Sequence, residues 1–190
     1  MGLLDSLFGG SKKLKAPAQD RIFAMTIAYI TFETGLGMTH RNSAGIVFQP
    51  LATADFAQIV KDSEELLRGQ AEDSGTTVET SDDQFGYRWM VLRDDDFEDL
   101  VVAVNVISSS LSDAGYGDRL LAAVFVFEQD GRPVHFIYNF KRGSFYPFVP
   151  KGGRQQRDSE HELRLKAQVG AELPIEPELD RWFPLWEIPL

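Results

Sequence analysis

Apolar residues recur every third or fourth position in some stretches of this chain and every second position in others, and the two periods mark out helices and strands. In DFAQIVKDSEELLRGQ, residues 55–70, Phe56, Ile59, Val60, Leu66 and Leu67 share one helical face, charge fills the other, and Gly69 stands near the expected stop. The clearest helix follows Asp96, where Phe97, Leu100, Val101, Val104, Ile107 and Leu111 keep the helical period. Asp96, with Asp99 three residues on, caps its start and Gly115 supplies its end. A third helix is predicted from the capping box formed by Ser159 and Glu162, and it ends at Gly170.

The remaining apolar runs read as strands. AMTIAYITFE (24–33) and AGIVFQP (44–50) are rich in β-branched and aromatic residues, and the breaker-rich TGLGMTHRNS between them predicts two strands and a loop. TTVET and YRWMVLR predict a second pair, joined through the turn SDDQFG. LLAAVFVF (120–127) is apolar throughout and too short for a helix of this kind, which predicts a central strand covered on both faces. Asp130-Gly131 turns it into PVHFIYNF, where Val134, Phe136, Tyr138 and Phe140 alternate onto one face of a hairpin. FYPFV adds a third strand, and the tail LPIEPELDRWFPLWEIPL is too rich in proline for regular structure. This order predicts an α+β fold, a mostly antiparallel sheet with about three helices packed on one side. A strand-strand-helix unit repeats faintly, without self-similarity at the level of residues.

Ahead of that body stands MGLLDSLFGGSKKLK. Leu3, Leu4, Leu7 and Phe8 fall on one arc of a helical wheel, opposite Gly2, Asp5, Ser6 and Gly9, and Lys12, Lys13 and Lys15 follow. Gly, Ser, Lys and Pro in residues 9–19 read as a linker. The expected organisation is an N-terminal amphipathic peptide and flexible linker over 1–19 and a single α+β domain over 20–190. Burying four apolar side chains yields roughly 6–12 kcal/mol gross, and ordering about eight residues costs a comparable amount. The expectation is a short amphipathic helix that makes weak, salt-sensitive contact with an anionic membrane surface or a partner, the alternative being packing on its own domain.

Composition narrows the function classes. With 190 residues, 43% of them hydrophobic, the chain has material for one sizeable core. A net charge of −10 argues against bulk nucleic-acid binding. Having no cysteine removes disulfides, thiolate metal sites and thiol nucleophiles together, in keeping with a reducing compartment. No apolar run approaches the ~18–20 residues that span a bilayer, so the chain is expected in the cytoplasm, peripheral at the inner face of the cell membrane where its N-terminal peptide engages.

Candidate chemistry is sparse. His40, His135 and His161 have no histidine at helical spacing, and no metal site or cofactor is expected. His135 shares a strand face with Ile137 and Asn139 and reads as a hydrogen-bonded, partly buried imidazole, and His161 as a surface residue. Asp94, Asp95 and Asp96 suit a helix start better than a calcium loop. The glycine pairs at 35 and 37 and at 115 and 117 lack a dinucleotide fingerprint's third glycine. One stretch stands apart: KRGSFYPFVPKGGRQQR (141–157) gathers Lys141, Arg142, Lys151, Arg154 and Arg157 around three aromatic residues, with no acid before Asp158. It reads either as an anion site or as aromatics filling the core while the cations balance nearby acids. Trp182, Phe183, Leu185 and Trp186 are too apolar for an exposed terminus and are expected to clamp onto the domain rather than to form a docking surface.

MGLLDSLFG, SSSLSDAGYGDRLL, YNFKRGSFYPFVPKGG and ELPIEPELDRWFPLW, spread from end to end, together resemble the PspA-associated protein PspAB family. The resemblance implies a prokaryotic accessory protein that works with a PspA-like protein in phage-shock-type envelope stress, sometimes beside an HtpX-like membrane protease. It implies no catalytic residues. The expected function is therefore a non-enzymatic adaptor. The competing reading is an enzyme on an unrecognised scaffold, with Asp94, Asp95, Asp96 or His135 in a pocket.

Overall fold

The structure is a computed structural model, and it describes residues 21–152, 155–186 and 188–190, leaving aside the side chains of 70–74. A short turn, Arg21–Phe23, leads into helix α1 (Ala24–Leu36), which feeds the long strand β1 (Met38–Phe48). Helix α2 (Ala54–Ser74), strands β2 (Thr77–Asp82) and β3 (Arg88–Arg93) and helix α3 (Phe97–Asp113) follow. Strands β4 (Leu120–Gln129), β5 (Arg132–Asn139) and β6 (Ser144–Phe148) form a meander. The two-residue strands β7 (Pro150–Lys151) and β8 (Gln156–Arg157) make a small separate ribbon before helix α4 (Ser159–Val169). The fold is α+β: the large sheet runs β2-β3-β1-β4-β5-β6, antiparallel at every pairing.

Three local expectations are corrected. AMTIAYITFE, expected as a strand, is most of α1. Its β-branched and aromatic content points to a strand, yet Ile22, Met25, Ala28 and Phe32 are the residues that reach the core, at helical spacing. Ile27 and Ile30 remain 65% and 63% exposed, so the helix carries apolar residues on both sides and lacks the polar face that reveals an amphipathic helix. Gly37, at φ +61°, ends it by donating its N–H to the Phe32 carbonyl. The faint strand-strand-helix repeat goes with this correction. Helix α2 runs through Gly69 to Ser74 and stops before Gly75, whose φ is +84°. Helix α4 has no Ser159–Glu162 capping box: Asp158 is the cap, accepting the His161 N–H at 3.2 Å, and Glu162 turns inward.

The two faces of the sheet are covered differently. All four helices contribute to one core, where Phe32, Phe56, Phe97, Val104, Ile107 and Leu165 meet alternate residues of the strands, among them Ile46, Leu92, Phe125, Phe127, Phe136 and Tyr138. Phe32 stacks on Phe136 with centroids 4.6 Å apart. Strand β4 is buried from Leu120 through Phe127, as its unbroken apolar run predicts. The opposite face, built from Val47, Trp89, Val124, Ile137, Tyr146 and Phe148, is closed by the proline-rich tail, from which Trp182 and Leu185 are buried and Phe183, Trp186, Ile188 and Leu190 are packed against it.

Candidate functional site

An extended tail cannot satisfy its own backbone as a helix does, so whatever holds it must supply donors and acceptors. At the sheet edge, Phe145 donates its N–H to the Pro174 carbonyl and accepts from the Glu176 N–H, both at 2.8 Å, so the tail runs beside β6. The buried Glu176 carboxylate takes the Ser144 hydroxyl at 3.2 Å and lies 3.8 Å from the Arg142 guanidinium and 3.6 Å from that of Arg181. Further along, Trp182 donates its indole N–H to the Glu176 carbonyl at 3.0 Å, and the Tyr146 hydroxyl donates to the Phe183 carbonyl at 3.0 Å.

A second clasp is centred on Glu162, which is buried on α4. Its carboxylate accepts the Val149 N–H at 2.9 Å and the Arg157 Nε–H at 2.8 and 3.0 Å, while Arg157 Nη1 donates to the Trp182 carbonyl at 2.6 Å. Burial raises the Glu162 carboxyl, and the Val149 N–H and the Arg157 guanidinium work against that rise.

The structure thus spreads the basic stretch out. Arg142 faces Glu176, Lys151 lies 3.7 Å from Asp158 and Arg157 is spent on Glu162 and the tail. Lys141 is half-buried, and burial lowers its ammonium. Arg154 lies outside the described residues, as do Leu3, Leu4, Leu7, Phe8, Lys12 and Lys13.

The acidic cluster is also engaged in the fold. Asp94 is buried, accepting the Thr76 hydroxyl on one oxygen and the Asp96 N–H at 2.8 Å on the other. Asp95 takes the Asn42 amide at 2.5 Å, and the Asp96 side chain caps α3 by accepting the Glu98 N–H at 2.8 Å. Asn42 sits at φ +53° where β1 slips its register against β4, so this cluster pins an irregular strand to a helix start. Among the described residues, no three His, Asp or Glu side chains converge as metal ligands, and no helix is long and apolar enough to cross a membrane. His161 shares a 2.7 Å hydrogen bond with Gln129, and His40 lies edge-on to Tyr29 and Phe97. His135 rests beside Phe148, its Nδ1 buried without a hydrogen-bond partner among the described residues, and burial pushes its imidazole down to about 4.

A concavity opens on the tail side. A pocket of about 310 Å³ lies between the β2–β3 turn and the tail, lined chiefly by Phe85, Trp89, Leu185, Trp186, Asp82 and Asp83. Asp82 accepts two N–H bonds from Arg88, at 2.7 and 2.9 Å, and these hold its carboxyl below the usual range. Asp83 shapes the turn by accepting the N–H groups of Phe85 and Tyr87 at 2.8 and 3.0 Å, and its second oxygen faces the Trp89 indole N–H at 3.3 Å.

A model of the PspA associated protein B family matches residues 1–190. The chain belongs to that family. No curated protein and no solved structure matches it. In this PspAB chain the pocket residues escape a reading of the sequence, because SDDQFG has the composition of a turn and the tail that of a clamp. The signal that was there is the pairing of Phe85, left exposed in an acidic turn, with a Trp opposite Ser81 in the strand register.

Proposed function

We propose that the protein is a non-enzymatic accessory of a PspA-like protein in a phage-shock-type envelope stress response, acting by protein contact at the cytoplasmic face of the membrane. Membership of the PspA associated protein B family over residues 1–190 carries this reading. The internal geometry supports it. The cations Arg142, Lys151 and Arg157 and the carboxylates of Asp94, Asp95 and Asp96 are engaged in holding the fold. What remains for a partner is surface, including the apolar stripe of Phe23, just ahead of α1, and Ile27 and Ile30 on it.

In this reading the N-terminal residues Leu3, Leu4, Leu7 and Phe8, with Lys12 and Lys13, add a weak membrane or partner contact, and an HtpX-like membrane protease is a further member of the assembly. The test is direct mixing of the purified full chain with purified PspA from the same host, followed by sedimentation velocity, with and without vesicles containing anionic lipid. A saturable complex is expected, and Leu7→Asp should reduce recovery on vesicles while leaving the melting temperature unchanged. No complex with PspA in either setting would overturn the reading.

A further inference from the structure

The two edges of the sheet are finished differently. Beside β6 the tail supplies a partner through Pro174 and Glu176, whereas the outer side of β2 has no strand partner among the described residues. An open edge is a row of unpaired N–H and C=O groups, a ready template for an added strand. By register Ser81 lies opposite Trp89, so Thr77, Glu79 and Ser81 point to the tail side, and Ser81 and Asp82 both end β2 and line the 310 Å³ pocket. A segment paired with β2 therefore delivers its own side chains directly into that pocket.

We propose that the β2 edge and its adjoining pocket dock an extended, basic peptide segment of a partner protein, which adds to β2 as a further strand and lays a Lys or Arg side chain among Phe85, Trp89 and Trp186. Charge selects this occupant. Among the described residues neither Glu79 nor Asp83 has a cation within ion-pair distance, and the chain as a whole carries −10. Two copies of this edge would set acidic side chains against each other, which disfavours a second copy and favours a basic strand. Size selects it too. A pocket of about 310 Å³ is at the lower end for ligand sites and accepts one or two long side chains, not a packed helix. Aromatic rings suit the methylene stem and the cationic head, with the Asp83 carboxylate in the same lining. Phe85 is 54% exposed, an apolar ring held at the mouth by a turn that Asp83 has already fixed. The proposal stands whether or not the partner is PspA.

The probe is an acetylated, amidated peptide of alternating residues, Val-Lys-Val-Lys-Val-Lys-Val, titrated into the full chain labelled with nitrogen-15. Saturable shifts are expected over the amides of residues 77–85 and the indole signals of Trp89 and Trp186. Replacing every Lys by Glu, or N-methylating alternate peptide bonds, should weaken binding at least about tenfold. Glu79→Lys and Phe85→Ser alter exposed side chains, so the spectrum should stay dispersed while each weakens binding about fivefold or more. The proposal is overturned if the peptide does not saturate, if the Glu peptide binds as well, or if the N-methylated peptide binds as well, since a pocket without strand addition would explain that. Shifts centred on Phe23, Ile27 and Ile30 would overturn it as well, placing the contact on α1.

Discussion

One face of the sheet is roofed by helices and the other by a strap of extended chain, and the two roofs make opposite demands on the sequence. Helices α1, α2 and α3 bring their own backbone hydrogen bonds, so the sheet offers them chiefly apolar side chains such as Ile46, Leu92 and Phe125, beside single polar contacts such as Gln129 on the Leu36 carbonyl. The strap brings unsatisfied carbonyls and N–H groups along with Trp182 and Leu185, so the structure must also provide polar partners. Arg157 on the Trp182 carbonyl, Tyr146 on the Phe183 carbonyl and the backbone of Phe145 fill that role. Two of the basic residues clustered from 141 to 157 meet this requirement, Arg157 on the Trp182 carbonyl and Arg142 beside Glu176.

The largest way to break the comparison is to remove the strap. Ending the chain after Glu178 should expose Trp89, Tyr146 and Phe148 and cost at least the ~3–5 kcal/mol of one buried Trp, read as a drop in the urea midpoint. An unchanged midpoint would mean that the strap adds no stability. Next comes the Glu162 clasp. Arg157→Met leaves the buried Glu162 carboxylate with only the Val149 N–H and the Trp182 carbonyl without its donor, and a loss of ~3 kcal/mol is expected. Adding Glu162→Gln should recover part of it. Full additivity of the two changes would show that they do not act through one pair.

A smaller effect depends on pH. The His135 imidazole lies on the strap side at about 4, down from its ordinary 6.5. The unfolded chain therefore takes up a proton between pH 6.5 and 4 that the folded protein refuses, so stability is full above the upper value and falls as the pH drops through that window. His135→Gln should flatten the melting temperature across the same range, and an identical slope would assign the acid sensitivity elsewhere. Smaller again is Gly45→Ala, whose Cβ would lie 3.1 Å from Leu190 and 3.4 Å from the Trp89 ring. A cost of ~1 kcal/mol is expected, and less when Leu190→Ala is present, if the end of the strap is seated there. On the helix roof, Ile27→Glu touches an exposed position and should stay within ~0.5 kcal/mol by the same urea measurement.

Legibility in the sequence follows the same division. Helix α3 is readable because it buries residues at the helical period, as Val104 and Ile107 do, while β4 is readable as an unbroken apolar run and β5 as its hairpin partner across Asp130-Gly131. Helix α1 is misread because burial does not sort its residues, Ile27 and Ile30 being as apolar as the buried Met25 and Phe32. Glu162 reads as a capping residue because its spacing from Ser159 is local, whereas its partners Val149 and Arg157 come from the chain before the helix. The open edge of β2 is a property of sheet order, and no local pattern in Thr77–Asp82 records which strand lies beside it.

The strap also sets a sequence of events in time. Its anchor points, Gly45 on β1 and Tyr146 on β6, belong to strands made long before Leu190 and Trp182 leave the ribosome, so the sheet must wait with one oily side uncovered. Contact order predicts that closure of so long a loop follows the local hairpins β2–β3 and β4–β5. A strap that docks after the rate-limiting step leaves the folding rate nearly unchanged and governs how fast the molecule opens again.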